Sequence, residues 1–390
     1  MVRMAQAFDI CIRGAGIVGR SLALQLASKR LQVALVESQY PVTPENKVLQ
    51  PGADSHTDVR AYALNQASRD LLEGLRCWPD EGHVTPVLEM EIFGDGQGST
   101  RFHASDQSTP ALNWIVDVAS LEKNLREAVG FQSRIAVVQS PQPATLTVVC
   151  EGKTSRTREE FGVEYTTAHY PQWALAARVQ CEKPHTQTAR QWFTQHDGLG
   201  EILAFLPIGG AAGNTCALVW SVSPERARAL QAAAPSEFLQ ALGIASNNTL
   251  GEMQLISDRN VWPLMHAYAE NWCGVGPEGN WVLAGDAAHA VHPLAGQGLN
   301  LGLGDVAELA LRIDAKPFWR SVGDLRLLRP YERARKAEFA LIGSTGDALQ
   351  QIFYPNHPAI QTLRNWGLQV FEHSGPLKSW IAKRAMGHRI

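Results

Sequence analysis

Phe8-Asp-Ile-Cys-Ile-Arg-Gly-Ala-Gly-Ile-Val-Gly19 decides the fold of this chain. Its first six residues alternate toward a short apolar strand, and the glycines then fall in the spacing of a dinucleotide fingerprint. An Ala- and Leu-rich helix follows through Lys29, and Gln32-Val-Ala-Leu-Val-Glu37 reads as a second strand. Each glycine has a physical task. Gly14 permits the tight turn, Gly16 lets a pyrophosphate approach the backbone, and Gly19 lets helix and strand pack closely. Glu37 closes the second strand, where an acidic residue binds an adenosine ribose hydroxyl. A Gly-rich turn alone also serves as plain structure. Here strand, helix, strand and terminal acid stand in order, which points to an α/β, Rossmann-like fold.

A second stretch lies some 260 residues further on: Val282-Leu-Ala-Gly-Asp-Ala-Ala-His-Ala-Val-His-Pro-Leu-Ala-Gly-Gln-Gly-Leu-Asn-Leu-Gly302. It reads as a buried strand running into a Gly-rich helix start. Asp286, at the strand's end, is placed to accept hydrogen bonds from a ribityl chain, and Gly296-Gln297-Gly298 leaves bare backbone N–H groups facing a ligand. A helix N-terminus carries partial positive charge. A flavin ring gains negative charge at its pyrimidine end on reduction, so this arrangement stabilises the reduced form without a cationic side chain. The motif closely resembles the second FAD fingerprint of the class A flavoprotein aromatic hydroxylases. Within that group, His289 to Gly302 is most similar to the ubiquinone-biosynthesis hydroxylases of the UbiH type. The resemblance implies noncovalent FAD held by Gly14, Gly16, Gly19, Glu37, Gly285, Asp286, Gly296, Gln297, Gly298, Leu299 and Asn300.

Composition agrees with an ordinary globular enzyme. The 390 residues suggest two or three domains at about 150 residues each. With 35 basic and 38 acidic residues, a net charge of −3, a nucleic-acid partner is not expected. The six cysteines form no C-x-x-C pair, so neither a disulfide framework nor a zinc site is indicated. The first strand starts almost at once, leaving no room for a signal peptide, and no apolar run has the length of a membrane span. The expected location is cytoplasmic, with a peripheral position on the inner membrane open.

Both fingerprints must touch one cofactor, so a second unit is inserted between them. From Val87 to Trp114 and from Glu164 to Trp262, β-branched and aromatic residues alternate with polar ones in short runs such as Glu89–Phe93, Leu175–Val179, Ala189–Phe193 and Thr215–Trp220. These read as a mostly antiparallel sheet, whereas Glu225 to Leu242 has helical spacing. The expected division is an FAD-binding unit at 1–86, 115–163 and 266–345, a substrate sheet at 87–114 and 164–265, and C-terminal helices at 346–390. This is the glutathione-reductase and p-hydroxybenzoate-hydroxylase type of architecture.

Weaker likenesses extend the resemblance. Asp58-Val-Arg-Ala-Tyr-Ala-Leu-Asn-Gln-Ala-Ser68 matches the family stretch whose arginine reaches FAD, here Arg60; a surface ion pair is an equally good account of that residue from sequence alone. Ala204–Ile208, Val219–Glu225 and Trp262-Pro-Leu264 resemble substrate-domain strands and the turn leading back. One departure is plain. The family's mid-chain Asp-Gly motif, which touches the pyrophosphate and the path of NAD(P)H, is Glu151-Gly152 here. The longer Glu151 keeps a carboxylate for the cofactor but puts the reductive half of the cycle in doubt.

The resemblance implies a reduced flavin that reacts with O₂ to give a C4a-hydroperoxide able to attack a phenol ring. The cofactor then carries the hard step, and the protein supplies a dry pocket and geometry. His289 and His292 flank the motif; packing at the strand-to-helix bend accounts for them better than acid–base work, with His292 positioning the loop and Pro293 fixing its backbone beside the ring. His292 and Pro293 are therefore the candidate catalytic positions. Near the C-terminus, Leu377, Trp380, Ile381 and Met386 interleave with Lys378, Lys383, Arg384 and Arg389, a basic amphipathic stretch that suits an anionic membrane surface or a packed terminal helix. The leading expectation is an FAD-dependent, NAD(P)H-consuming monooxygenase acting on a polyprenylated phenol and O₂ in ubiquinone synthesis, with a membrane surface, a biosynthetic protein complex or a homo-oligomer as partners. The alternatives are a non-catalytic FAD-binding subunit of such a complex and another flavin oxidoreductase of the same fold.

Overall fold

The computed structural model describes residues 8–37, 59–94, 98–291 and 297–353, with side chains described through Leu341. A six-stranded sheet forms the cofactor half. Its strands are β1 (Phe8–Arg13), β2 (Val33–Val36), β8 (Ile135–Val138), β9 (Ala144–Val149), β16 (Cys273–Gly276) and β17 (Gly279–Leu283), in the order β16-β17-β9-β1-β2-β8. All neighbours pair parallel except the β16–β17 hairpin. Ile10, Ile12, Val33, Leu35, Leu146, Val148 and Val282 are fully buried. Such continuous apolar strands suit a parallel sheet covered by helices.

The covering helices are α1 (Ile17–Ser28), α3 (Val118–Gly130), α7 (Gln297–Asp314) and α8 (Leu325–Phe353), and most of them share one core with the sheet. β9 joins β17 on one side and β1 on the other, although more than 130 residues separate it from each. The first and last parts of the chain thus build one sheet, as two fingerprints for one cofactor require.

A small sheet of β3 (Ala61–Leu64), β7 (Asn113–Asp117) and β4 (Val84–Val87) lies between the halves, with α2 (Gln66–Gly74) after β3. The large sheet runs β18-β15-β10-β13-β12-β11-β5-β6, with β14 (Met253–Leu255) beside β10. Its strands are β5 (Glu89–Phe93), β6 (Ser99–His103), β10 (Tyr165–Cys181), β11 (Thr188–His196), β12 (Leu199–Ile208), β13 (Thr215–Val222), β15 (Asn260–Ala269) and β18 (His289–Ala290). Apart from the parallel β5–β11 pair it is antiparallel. One face buries Trp192, Leu203, Phe205, Leu218 and Trp220 against α5 (Pro224–Ala232) and α6 (Pro235–Ala245). By strand alternation the opposite face carries Ala174, Ala176, Ala204, Val219 and Ser221. That face turns toward the cofactor half, since Ala189, Ile208 and Ala217 on it pack with Ala63, Val87 and Ile115.

Three sequence expectations change. Leu175–Val179 is not a short strand but the middle of the 17-residue β10, whose first half is largely exposed and so carries no apolar run to read. The helical stretch Glu225–Leu242 is two helices, because Pro235 starts a new one at its first turn and cannot continue the old. The expected 114/115 and 265/266 boundaries fall inside strands, β7 of the small sheet and β15 of the large one.

Candidate active site

The Gly14–Gly16 turn lies where β1 hands over to α1. Gly14 has φ +109°, and a Cβ there would stand 2.4 Å from the carbonyl oxygen of Cys150. A Cβ on Gly19 would stand 1.9 Å from the oxygen of Gly14. Both glycines are demanded by packing. Gly16 differs, for nothing lies within 4 Å of where its Cβ would be. It is the N-cap of α1, with no side-chain cap and no acid in the first turn. The first N–H groups of α1 therefore meet open space, a cradle suited to an anion. At the end of β2, Glu37 accepts from Arg20 Nη2 at 2.6 Å through Oε1, while its side chain stays about half exposed. Among the described residues Oε2 has no hydrogen-bond partner, which suits a ribose hydroxyl.

The second fingerprint is held from behind. After β17 the chain makes a 3₁₀ turn over Gly285–Ala287 before β18, so strand and helix are not joined directly. Asp305 on α7 is fully buried and accepts from Gly285 N at 2.7 Å, His289 Nε2 at 2.7 Å and Arg335 Nε at 2.6 Å. Burial alone would push its carboxyl up; His289 and Arg335 outweigh that and hold it below the ordinary carboxylate value. Arg335 also donates to Leu301 O at 2.9 Å, tying α8 to the start of α7.

Asp286 is clamped through its backbone. Tyr165 Oη donates to Asp286 O at 2.9 Å, and Arg158 Nη1 donates to Ala287 O at 3.1 Å. Arg158 also lies 3.5 Å from the centre of the Tyr165 ring. The Tyr165 hydroxyl is pushed well up by burial and then by Asp286, so it remains a neutral donor. The Asp286 side chain is half-buried and, among the described residues, has no hydrogen-bond partner. A carboxylate fixed at its backbone and free at its oxygens is a ready acceptor.

Val18 joins the two fingerprints. Its Cγ2 is 3.3 Å from a Cβ placed on Gly285 and 2.7 Å from one on Gly302. The N-terminal parts of α1 and α7 thus pack against each other, and a Cβ on Gly298 would meet nothing within 4 Å. Gln297 opens α7 and Leu299 packs on the main core. Gly296, His292 and Pro293 lie outside the described residues, as does the 375–390 stretch. Open backbone at Gly16 and Gly298, together with the unpaired Asp286, fits a flavin dinucleotide: an anionic middle, a hydroxyl-rich chain and a ring that gains negative charge.

Three of the expected cofactor residues have side-chain partners within the protein. The Asn300 amide straps α7 to the β3–α2 corner: it donates to Ala63 O at 2.8 Å and accepts from Asn65 N at 3.0 Å and Ser68 Oγ at 2.7 Å. Glu151 accepts from Ser155 Oγ at 2.8 Å, Thr157 N at 3.1 Å and Thr157 Oγ1 at 2.7 Å, which turns its carboxylate onto α4 (Arg156–Glu160). Its backbone nitrogen still backs the Gly14 turn, 2.9 Å from that glycine's Cβ position. Arg60 stands just before β3, with its guanidinium 3.8 Å from Glu122 Oε1. Sequence reasoning missed Asp305, Arg335, Arg158 and Tyr165, whose partners at this site lie 16 to 129 residues away and leave no local pattern.

A family profile described as FAD binding domain matches residues 115–340. The chain belongs to this FAD-binding family. The flavoprotein is 29% identical to the 3-demethoxyubiquinol 3-hydroxylase of Escherichia coli (strain K12), over 98% of this chain and 99% of that one. It is 28% identical to the mitochondrial ubiquinone biosynthesis monooxygenase COQ6 of Homo sapiens, over 96% of this chain and 91% of that one. Among solved structures, pqsL of Pseudomonas aeruginosa, a probable FAD-dependent monooxygenase, superposes with a TM-score of 0.71 at 22% identity, covering 89% of this chain and 97% of that one. The p-nitrophenol 4-monooxygenase PnpA of Pseudomonas putida DLL-E4 gives 0.71 at 17% identity, covering 99% and 100%. These structural likenesses concern the fold: a Rossmann-like FAD domain carrying an antiparallel sheet domain.

Proposed function

We propose that this flavoprotein is an FAD-dependent, NAD(P)H-consuming monooxygenase that hydroxylates a polyprenylated phenol in ubiquinone biosynthesis. The observation that carries the reading is the meeting of both fingerprints at Val18, with Asp286 unpaired among the described residues and Gly16 and Gly298 bare. Relatives named as ubiquinone hydroxylases, aligned over nearly the whole chain, support the substrate class.

When bound, FAD supplies the redox chemistry: it takes reducing equivalents from NAD(P)H and activates O₂ for transfer of one oxygen atom to the ring. The chain's own residues bind and orient. The α1 N-terminus and the Gly14–Gly16 turn would hold the pyrophosphate, Glu37 the ribose and Asp286 the ribityl hydroxyls. Backbone N–H groups at the start of α7 would favour charge at the pyrimidine end, and Asp305 keeps Gly285 in place for that arrangement. The row Ala176, Val219 and Ala204, paired across three strands, offers a flat apolar floor to an aromatic ring and excludes water. His292 and Pro293 remain the proposed loop positions beside the ring.

A second reading rests on Glu151. With its carboxylate committed to α4, the motif that serves NAD(P)H in the resembled hydroxylases is altered, as a non-catalytic FAD-binding subunit would tolerate. The deciding experiment supplies purified protein with FAD, NADPH or NADH, a prenylated phenol and ¹⁸O₂. The monooxygenase reading expects phenol-dependent NAD(P)H oxidation and one ¹⁸O in the product. FAD binding without either result, across a panel of phenols, gives the subunit reading. No helix among the described residues is long and apolar enough to cross a membrane. A peripheral membrane position, a biosynthetic complex and a homo-oligomer stay part of the proposal.

A further inference from the structure

We propose that Arg178, on the substrate sheet, is the residue that positions Arg60 for the cofactor. The inference rests on the proposed FAD site and on the family resemblance, which implies that Arg60 reaches FAD. Arg178 lies in the second half of β10 with only 7% of its surface exposed. It shares a face with Ala174 and Ala176, turned toward the cofactor half. Its neighbours across the sheet are apolar: Ala217 stands opposite it, and Leu206 is next in that row. A cation on such a face carries a desolvation cost, and a well-packed apolar residue would join the halves at least as firmly. Its partners indicate a more specific task.

Nη1 donates to Asp117 Oδ2 at 2.8 Å, and Nη2 donates to the Arg60 carbonyl at 3.1 Å. These two acceptors belong to neighbouring strands, because Asp117 on β7 pairs with Ala61, the residue after Arg60. One planar fork therefore fixes the point from which the Arg60 side chain departs. The same fork governs the other end. Asp117 is the N-cap of α3, its Oδ1 accepting from Ala119 N at 3.0 Å. That helix carries Glu122, whose Oε1 lies 3.8 Å from the Arg60 guanidinium. Arg178 thus holds the Arg60 backbone directly and its ion-pair partner through one helix cap. The backbone N–H of Arg178 is in turn fixed by Ser257 Oγ at 2.7 Å.

This arrangement ties substrate floor to cofactor site. Ala176 is two residues from Arg178 on the same face, roughly 7 Å along the strand. A ring lying on Ala176 and Val219 would be registered against Arg60 through a single side chain.

The test is a double-mutant cycle on FAD affinity, read by fluorescence titration of apoprotein, with R60M, R178M, R178K, the R60M/R178M pair and D286A. R60M should weaken FAD binding about tenfold or more, as for a lost hydrogen bond to a charged group. R178M should lose a comparable factor, and the pair no more than the larger single loss. R178K keeps the charge for Asp117 but cannot fork to both acceptors, so it should fall between R178M and the wild type. If R178M melts below the titration temperature, the R60M and R178K cycle decides in the same way. Wild-type FAD affinity in folded R178M or R178K, or full additivity with R60M, overturns the proposal by leaving Arg178 a structural latch. If R60M binds normally while D286A does not, the Arg60 contact and this inference both fail and the site stands; normal binding in D286A as well means the site itself is misplaced.

Discussion

Replacing Asp305 should damage the flavin site without touching any residue assigned to contact flavin. Its carboxylate is fully buried and takes three hydrogen bonds, from Gly285 N, His289 Nε2 and Arg335 Nε. Asp305→Ala strips the buried Arg335 of that partner, a change costing about 3–5 kcal/mol. It also orphans the Gly285 N–H, for about 1–3 kcal/mol more. Together these approach the whole stability of a typical domain, about 5–15 kcal/mol, so the alanine variant should be largely unfolded or insoluble. Asp305→Asn is the informative change. Its amide oxygen can still accept from Gly285, while Arg335 keeps the Leu301 carbonyl and, as its charged partner, Glu338, a half-exposed carboxylate. A loss of about 3 kcal/mol follows, which at a urea slope of about 3 kcal/mol/M lowers the midpoint by about 1 M. The assay is urea unfolding of the apoprotein, followed by FAD titration under conditions where the variant is folded. FAD affinity should fall too, because the Gly285–Ala287 turn presents Asp286. The pH dependence has a definite sign. Asp305 has a lowered folded value, so its contribution is full above the ordinary carboxylate value and is lost as pH falls through the lowered one. The asparagine variant should lack that acid-side loss. An unchanged urea midpoint together with unchanged FAD affinity would refute the account of Asp305 as the anchor of the turn.

Two glycine changes should separate cofactor contact from packing. Gly16→Ala places its methyl in open space, so the apoprotein should keep its melting temperature while FAD binding weakens; Gly19→Ala meets the Gly14 oxygen at 1.9 Å and should destabilise the apoprotein itself. Equal melting losses in both variants would sink the distinction. Glu201, on β12, is a second pH probe: burial pushes its carboxyl up to about 7, against the opposing pull of Arg226 and Trp220. Because its folded value lies above its unfolded one, stability should fall by about 3 kcal/mol as pH rises from about 4.5 to about 7. Glu201→Gln should abolish that slope in urea midpoints taken across the interval, and an identical slope in the variant would show that another group causes it.

What the sequence made legible was local. The β1–α1–β2 unit announces itself because strand, turn and helix follow one another within 30 residues, and Gly14 and Gly19 are required by contacts inside that unit and with the adjoining β9. Asp286 is legible by the same logic, three residues past a buried strand and within a tight turn. The supports of Asp286 were hidden. Tyr165 and Arg158 reach it from 121 and 129 residues away, and neither belongs to a pattern that a single stretch displays. Asn300 stands at a motif position that suggests a ligand, and the bonds its amide oxygen accepts from Asn65 and Ser68 were hidden, because only the folded β3–α2 corner brings those residues near.

Glu151 shows how one substitution can be absorbed by its neighbours. In place of aspartate, the extra methylene lets the carboxylate reach past Gly152, which takes φ +79°, to the next helix. There the residues it finds are Ser155 and Thr157, and Ser155 itself caps α4 by accepting from Arg158 N at 3.1 Å. Arg158 is the side chain that grips Ala287 O, one residue from the Asp286 carbonyl held by Tyr165. The altered motif therefore stays mechanically connected to the flavin site, through α4 and not through its own carboxylate. Binding of the cofactor and access of the reductant are separable in such an arrangement. The bare glycines and Asp286 hold their places through contacts to which Glu151 gives no side-chain atom. The contacts that place the flavin-holding groups are therefore separate from the Glu151 carboxylate, which Ser155 and Thr157 hold.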